Sequence, residues 1–321
     1  MVAIVKQSSI KLGIIIPCFN EAEGLAETTQ QLSTLLEEMI SQNEISPDSF
    51  ICYVDDGSTD ETWDIIEKTQ QNNPLFRGLK LSRNFGHQNA LIAGLMQFKD
   101  DADGLISMDA DLQDDIYLVH EFVAKYKEGY EVIYGVRDDR TTDTSFKRGT
   151  AGFFYKFQNL MGIEAVPNHA DYRFLSSKAL NALAEFKEIN LFLRGIVPLL
   201  GFRSTSVYYK RNERFAGETK YPLKKMLFFA LDGIASFSIM PLRVITLVGF
   251  ILFLLSILGI VWVVIEKIFL GNAIQGWAST MASIYFIGGI QIMSLGIIGE
   301  YVGRSFQQGK NRPRYIIEKE I

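Results

Sequence analysis

Residues 104–114 read Gly104-Leu105-Ile106-Ser107-Met108-Asp109-Ala110-Asp111-Leu112-Gln113-Asp114. A short apolar run, Gly104–Met108, gives way abruptly to a cluster of carboxylates. An uninterrupted apolar run of this length fits a strand buried on both faces, and such strands belong to parallel sheets covered by helices. The same phrase recurs on either side of it. Leu12–Pro17 ends in Asn20-Glu21, Phe50–Val54 in Asp55-Asp56-Gly57-Ser58, and Leu79–Leu81 in Ser82-Arg83-Asn84, while Val132–Val136 is a fifth strand. Helical patterns fill the intervals: Glu21 to about Ser41, Glu61–Gln70, about His87 to Gln97, and Ile116–Lys127. The alternation predicts an α/β domain with a mostly parallel sheet. Ligands of such sheets bind beyond the carboxyl ends of the strands, where the polar clusters stand. The chain contains neither GxGxxG nor GxxxxGK[ST], which removes the dinucleotide fingerprint and the P-loop.

Asp109-x-Asp111 carries the chemical argument. Hard divalent cations prefer oxygen ligands, and Mg²⁺ commonly takes one or two carboxylates together with substrate phosphate oxygens. A lone Asp-x-Asp is more often a solvated acidic loop. Here it recurs with other polar groups at successive strand ends, and this favours a metal–diphosphate site.

Charge is distributed unevenly over the 321 residues, whose formal net charge is −5. Residues 1–202 carry 18 basic and 30 acidic side chains, whereas residues 203–243 carry 8 and 3. An acidic first half without a basic face argues against nucleic acid as a partner. Two cysteines, Cys18 and Cys52, make no disulfide framework and suit a reducing compartment. Val244–Ile265 lacks formal charge over a length of about 33 Å, enough for a hydrocarbon core of about 30 Å. A second uncharged run follows, most apolar from about Ala278 to Ile298. The expected organisation is a soluble domain over 1–221, a juxtamembrane segment over 222–243, a hairpin over 244–303 with spans near 244–265 and 278–299, and a tail over 304–321. Residues 222–240 read as amphipathic and interfacial, or else as a core helix of the soluble domain. Leu12–Ile16 is too short for a signal peptide. Lys220, Lys224, Lys225 and Arg243 precede the first span, and Arg304, Lys310, Arg312 and Arg314 follow the second. This bias puts the soluble domain and both termini in the cytoplasm, with the hairpin in the inner (plasma) membrane. Gly299-Glu300-Tyr301-Val302-Gly303 is a GxxxG word that lets helix backbones approach closely in lipid. With only two spans to cover it, a homo-oligomer is expected, dimer or tetramer.

The words Ile16-Pro17-Cys18-Phe19-Asn20-Glu21, Val54-Asp55-Asp56-Gly57-Ser58-Thr59-Asp60 and Met108-Asp109-Ala110-Asp111-Leu112-Gln113-Asp114 resemble glycosyltransferase family 2, enzymes of the GT-A fold. The resemblance implies that Pro17, Asn20 and Glu21 line the nucleotide pocket, with Asp55 and Asp56 at base and ribose and Asn84 close by. It implies that Asp109 and Asp111 hold Mg²⁺ or Mn²⁺ on the diphosphate. Leu81-Ser82-Arg83-Asn84-Phe85-Gly86-His87, Ala170-Asp171-Tyr172-Arg173, Phe192-Leu193-Arg194-Gly195 and the Arg211–Tyr221 segment are similar to the polyisoprenyl-phosphate glycosyltransferases. Two C-terminal spans fit the bacterial undecaprenyl-phosphate (bactoprenol) glucosyltransferases especially well, and dolichyl-phosphate mannose synthases more distantly. One departure is His87, where many relatives have Lys. The Q-x-x-R-W word of processive synthases is missing.

That resemblance implies transfer of glucose from UDP-glucose to polyprenyl phosphate. A donor such as GDP-mannose or a UDP-aminosugar, or a non-catalytic nucleotide-sugar binder, are the competing readings. A phosphate monoester is largely dianionic at neutral pH and attacks without a strong base. Arginine forks match its oxygens. Arg148, Arg173, Arg211, Arg214 and Lys220 are the candidates for the acceptor phosphate, and the resemblance places Asp171 near the reacting centre, with a purely structural Asp171–Arg173 ion pair as the alternative.

Overall fold

A computed structural model of the chain describes residues 9–137, 169–188, 193–210, 240–265 and 276–321. Arg148, Arg211, Arg214 and Lys220 lie outside the described residues, as does most of the 222–243 segment. The described residues form two compact units. One holds those up to residue 210 together with Arg312–Ile321, and the other holds those from 240 to Asn311.

In the first unit the elements run β1 (Leu12–Cys18), α1 (Ala22–Ser41), β2 (Phe50–Asp55), α2 (Thr62–Asn72), β3 (Phe76–Leu81), α3 (His87–Gln97), β4 (Gly104–Ser107), α4 (Leu118–Lys127) and β5 (Val132–Arg137). They continue with β6 (His169–Ser176), α5 (Ser177–Ala184), α6 (Leu193–Leu199) and β7 (Ser204–Tyr209). The helices α7 (Met240–Ile265) and α8 (Trp277–Gly309) make the second unit, and β8 (Ile317–Glu320) returns to the first.

One sheet holds all the described strands in the order β7-β5-β6-β4-β1-β2-β3-β8. The run β4-β1-β2-β3 is parallel throughout. Every residue of β1, β2 and β4 is buried, as expected where helices cover both faces. Leu25, Leu32, Leu35, Leu36 and Met39 form the buried stripe of α1, at the three- and four-residue spacing of one helix face. The α/β, mostly parallel reading therefore holds, and each expected strand is present within two or three residues of its expected limits.

Sequence periodicity missed β6, β7 and β8. Strand β6 runs antiparallel between β4 and β5, and its Asp171 and Arg173 break any apolar pattern. Those charges are nevertheless interior, because they pair with one another: Arg173 Nη2 donates to Asp171 Oδ1 at 2.6 Å.

Strand β8 shows how the last residues fold. It pairs antiparallel with the edge of β3, and Ile321 and Gly78 exchange two backbone hydrogen bonds of 2.9 Å. A Cβ on Gly78 would stand 2.8 Å from side-chain atoms of both Ile321 and Ile66, so only glycine admits the terminal isoleucine here. Lys319 Nζ meets Glu67 Oε1 at 2.5 Å, and Gln97 Nε2 donates to Glu320 Oε2 at 2.7 Å. The first unit is thus built from both sides of the apolar helices in sequence.

Helix α7 has 26 residues and α8 has 33, about 39 and 50 Å of helix. Among the described residues, Phe286–Gly309 is long and apolar enough to cross a membrane by length and composition. The helix that contains it continues unbroken to Gly309, with Arg304 paired to Glu300 one turn away. Leu247, Phe250, Leu255, Leu258, Ile292, Leu295 and Phe306 are all exposed, an arrangement suited to lipid rather than water. An added Cβ at Gly296, Gly299 or Gly303 would meet nothing within 4 Å.

Removing Arg312–Ile321 takes away the β8 ladder and the packing of Ile321. We expect a loss of about 2–4 kcal/mol from the first unit, since several net hydrogen bonds of about 1 kcal/mol and one partly buried aliphatic side chain go together. Thermal melting of full-length and truncated protein in the same detergent measures it, and unchanged melting would show that β8 contributes nothing to stability.

Candidate active site

The site begins where four parallel strands stop side by side. After β1 the chain turns through Asn20, whose φ of +55° is tolerated by an asparagine better than by most residues. Asn20 N donates to Ser58 Oγ at 2.9 Å, and Asn20 Oδ1 accepts from Thr59 N at 2.9 Å. Glu21 N donates to Thr62 Oγ1 at 3.0 Å, and Asp60 Oδ1 accepts from Thr62 N and Oγ1 at 3.0 and 2.6 Å. The loops after β1 and β2 are therefore one hydrogen-bonded body. Pro17 pairs with Val54 in the ladder just below it.

Asp55 and Asp56 end β2 and are both buried. Asp56 receives Phe85 N at 2.7 Å and Gly86 N at 2.9 Å, so its carboxylate fixes the loop after β3. Asp55 Oδ1 accepts from Ser58 N at 3.2 Å, whereas its Oδ2 is buried with no hydrogen-bond partner among the described residues. Burial pushes both carboxyls above the usual range. Gly57 sits at φ +69°, and a Cβ there would lie 2.4 Å from the backbone carbon of Arg83 and 2.6 Å from Asn84 N. The Asp-Asp-Gly-Ser word and the Arg-Asn word touch through that missing side chain, which sets Asn84 beside the end of β2.

Beyond β4, Thr28 Oγ1 of α1 donates to Ala110 O at 2.9 Å and pins the residue between Asp109 and Asp111. His87, the first residue of α3, places Nε2 3.5 Å from Asp109 Oδ1 and 3.9 Å from Asp171 Oδ2. Asp111 Oδ1 accepts from Gln113 N at 3.3 Å. The buried Asp114 is held by Arg137 Nη2 at 3.0 Å and by the Tyr209 hydroxyl, from the ends of β5 and β7.

About a third of the Asp109 side chain remains exposed, yet its carboxyl is pushed up to about 6. Burial is the largest cause; His87 opposes it, and repulsion from Asp171, Asp114 and Asp111 adds to it. Asp171 goes the other way. Burial disfavours its charge, but Arg173 and Arg194 outweigh burial and hold the carboxyl well below the usual range. Arg194 Nε and Nη2 reach Asp171 Oδ1 and Oδ2 at 3.2 and 3.3 Å.

Pro17, Asn20, Glu21, Asp55, Asp56, Asn84, Asp109, Asp111 and Asp171 thus stand at or just beyond one end of the sheet. Arg173 is placed differently from its expected role: only 1% of its side chain is exposed, and its contact is with Asp171. Sequence reading missed the contributions of Asp60, Arg137, Tyr209 and Arg194. Arg194 lies in a quoted family word, but only the folded chain brings α6 against β6.

Among the described residues, no three His, Cys, Asp or Glu side chains converge into a complete metal cage. The donor chemistry nonetheless suits a cation that completes its shell from substrate. Two strand-end carboxylates stand together, and Asp109 has a raised affinity for positive charge where, among the described residues, no arginine is paired with it.

A family model described as glycosyl transferase family 2 matches residues 13–183, and one described as the GtrB C-terminal hairpin matches residues 240–305. The chain is 51% identical over 316 residues to YkoT of Bacillus subtilis, an uncharacterized glycosyltransferase, covering 98% of this chain and 94% of the relative. It is 36% identical over 314 residues to a prophage bactoprenol glucosyl transferase homolog of Escherichia coli, covering 97% and 99%. The solved mannosyltransferase PcManGT of Pyrobaculum calidifontis, in complex with GDP-Man and Mn²⁺, aligns over 96% of this chain and 89% of its own, with 12% identity and a TM-score of 0.45.

The raised Asp109 carboxyl gives a signed pH prediction. Such a group binds more protons folded than unfolded between about pH 4 and 6, so stability falls as pH rises through that window and the penalty is complete above about 6. Without metal, Asp109→Asn should melt higher than wild type at pH 7.5, and the gap should close near pH 4. Adding Mn²⁺ should stabilise wild type and not the variant. Parallel pH profiles for the two proteins would show that Asp109 carries no such strain.

Proposed function

The chain belongs to glycosyl transferase family 2 with a GtrB C-terminal hairpin, and from that premise we propose that it transfers glucose from UDP-glucose to undecaprenyl (polyprenyl) phosphate. The product would be a polyprenyl-phosphate-linked sugar used to modify cell-envelope glycans. One observation carries the reading: a strand-end carboxylate site and a long, exposed apolar helix pair occur in the same chain. A site for nucleotide diphosphates joined to lipid-facing helices suits a donor from water and an acceptor from the bilayer.

On this reading Pro17, Asn20, Glu21, Asp55, Asp56 and Asn84 line the nucleotide pocket. The unpartnered Oδ2 of Asp55 offers an acceptor to a base N–H or ribose hydroxyl. Asp109 and Asp111 would hold Mg²⁺ or Mn²⁺, which supplies charge neutralisation for the departing diphosphate. Arg148, Arg211, Arg214 and Lys220 remain the proposed contacts for the acceptor phosphate and the membrane surface. Asp171, kept ionised by Arg173 and Arg194, is too weak a base to take a proton at neutral pH. It orients cations instead. A dianionic phosphate needs no base, so alignment and charge balance suffice for in-line attack at the anomeric carbon with inversion. We place the catalytic domain and both termini in the cytoplasm and the hairpin in the inner membrane. The open faces at Gly299 and Gly303 support a dimer or tetramer formed through the hairpins.

Detergent-solubilised protein given labelled UDP- and GDP-sugars with polyprenyl phosphate should put glucose, from UDP-glucose, into the lipid extract. Preferred transfer of another sugar would replace the donor, and no transfer from any donor would favour a binder over an enzyme. Asp111→Asn should remain folded and fall to a few per cent of wild-type activity or less. Near-normal activity at subsaturating Mn²⁺ would exclude Asp111 as a ligand. Native mass measurement in mild detergent should give a dimer or tetramer, and a clean monomer under several gentle conditions would defeat the assembly.

A further inference from the structure

Asp171 is shared between two arginines in unequal ways. Arg173 approaches from the interior, is 1% exposed and makes the short contact of 2.6 Å. Arg194 approaches from the open side, has a side chain 41% exposed, and makes two long contacts of 3.2 and 3.3 Å. Asp171 Oδ1 accepts from both. The Arg194 fork is therefore aligned for two parallel hydrogen bonds yet only loosely bonded.

Charge accounting points the same way. One carboxylate cannot balance two guanidinium groups, and once Asp109 and Asp111 are committed to a cation the Asp171–Arg173–Arg194 group keeps one positive charge in excess. His87 bridges this group to Asp109, so the excess lies beside the strand-end carboxylates. Arg173 is unable to meet a substrate: its Nε and Nη1 are buried with no hydrogen-bond partner among the described residues. Because Arg173 stays, Asp171 would not be left as an unpaired buried charge if Arg194 moved away. Leu193 N donates to Gln88 Oε1 at 3.4 Å, which ties the start of α6 to the start of α3 and keeps Arg194 beside the site.

Resting on the transferase reading above, we propose that Arg194 is a substrate-phosphate-binding residue that exchanges its fork from Asp171 to a pair of phosphate oxygens. A phosphate offers the same bidentate geometry as a carboxylate and, as a dianion, more charge. Two substrates carry such a group, the sugar nucleotide and the lipid monophosphate, and the experiment separates them.

The full-length protein is compared with Arg194→Gln and Arg194→Lys in detergent with Mn²⁺. Direct binding of UDP and of a short-chain polyprenyl phosphate is measured by calorimetry, and initial rates are measured against each substrate. We expect Arg194→Gln to weaken one of the two ligands at least about tenfold, the loss of a charged bidentate partner. The other ligand should stay within about twofold. Arg194→Lys should lie between, because an ammonium keeps charge but lacks the fork. Weakened polyprenyl phosphate with a raised acceptor KM assigns the lipid phosphate, whereas weakened UDP assigns the donor diphosphate. Unchanged affinity for both ligands overturns the proposal, as does an equal loss for both accompanied by a lower melting temperature, which marks a structural ion pair. If the Gln variant fails to fold, the Lys variant alone decides: wild-type affinities for both ligands overturn the proposal, and a selective loss upholds it. Wild-type protein that binds UDP and polyprenyl phosphate but transfers no sugar would defeat the functional reading while leaving the Arg194 measurement intact.

Discussion

The parallel register of β4, β1, β2 and β3 is the constraint on which the site depends. Four strands that run the same way must release their chains at the same edge, so the residues following each strand become neighbours whatever their distance in sequence. Cys18 pairs with Asp55, and Ile15 with Ser107, which sets the three acidic words at nearly one level. Hydrogen bonds then join the loops laterally: Asn20 to Ser58 and Thr59, Asp56 to Phe85 and Gly86, and Thr28 to Ala110. The loops gain order from one another as well as from the sheet, which is the preorganisation a glycosyl-transfer site needs.

Crowding carboxylates at one edge has an electrostatic cost that the fold offsets residue by residue. Asp56 accepts from two backbone N–H groups, Asp114 Oδ1 from Arg137 and Tyr209 while its Oδ2 is buried with no hydrogen-bond partner among the described residues, and Asp171 from Arg173 and Arg194. Among the described residues, the basic group nearest Asp109 is the imidazole of His87 at 3.5 Å, and the Asp109 carboxyl rises to about 6. Burial is the main cause, and repulsion from Asp171, Asp114 and Asp111 adds to it. A divalent cation is the natural relief for such a group.

The C-terminal strand adds a topological point. The apolar helices are flanked in sequence by parts of the catalytic unit, because Arg312–Ile321 belongs to it and Ile321 seals against Gly78. Covering β3 with β8 also protects an edge that would otherwise offer unpaired backbone groups to another chain.

Much of this was present in the sequence itself. Apolar runs of buried-strand length, helical stretches between them and polar words at their ends determined a mostly parallel α/β sheet with a ligand edge, because burial on both faces and short connections leave few other arrangements. Long uncharged runs determined two lipid-compatible helices for the same kind of reason, the cost of charge in hydrocarbon. Tertiary structure alone decided β6, β7 and β8. The Asp171–Arg173 pair was open to a sequence reading, but its place inside the sheet in β6 was not, and the charged Ile317–Glu320 segment becomes a strand only against the exposed edge of β3. It also decided that Arg194 meets Asp171 and that Arg173 is closed off from solvent. Those facts depend on which side of a shared carboxylate each guanidinium approaches, and such sidedness is a property of packed elements that no local sequence pattern encodes.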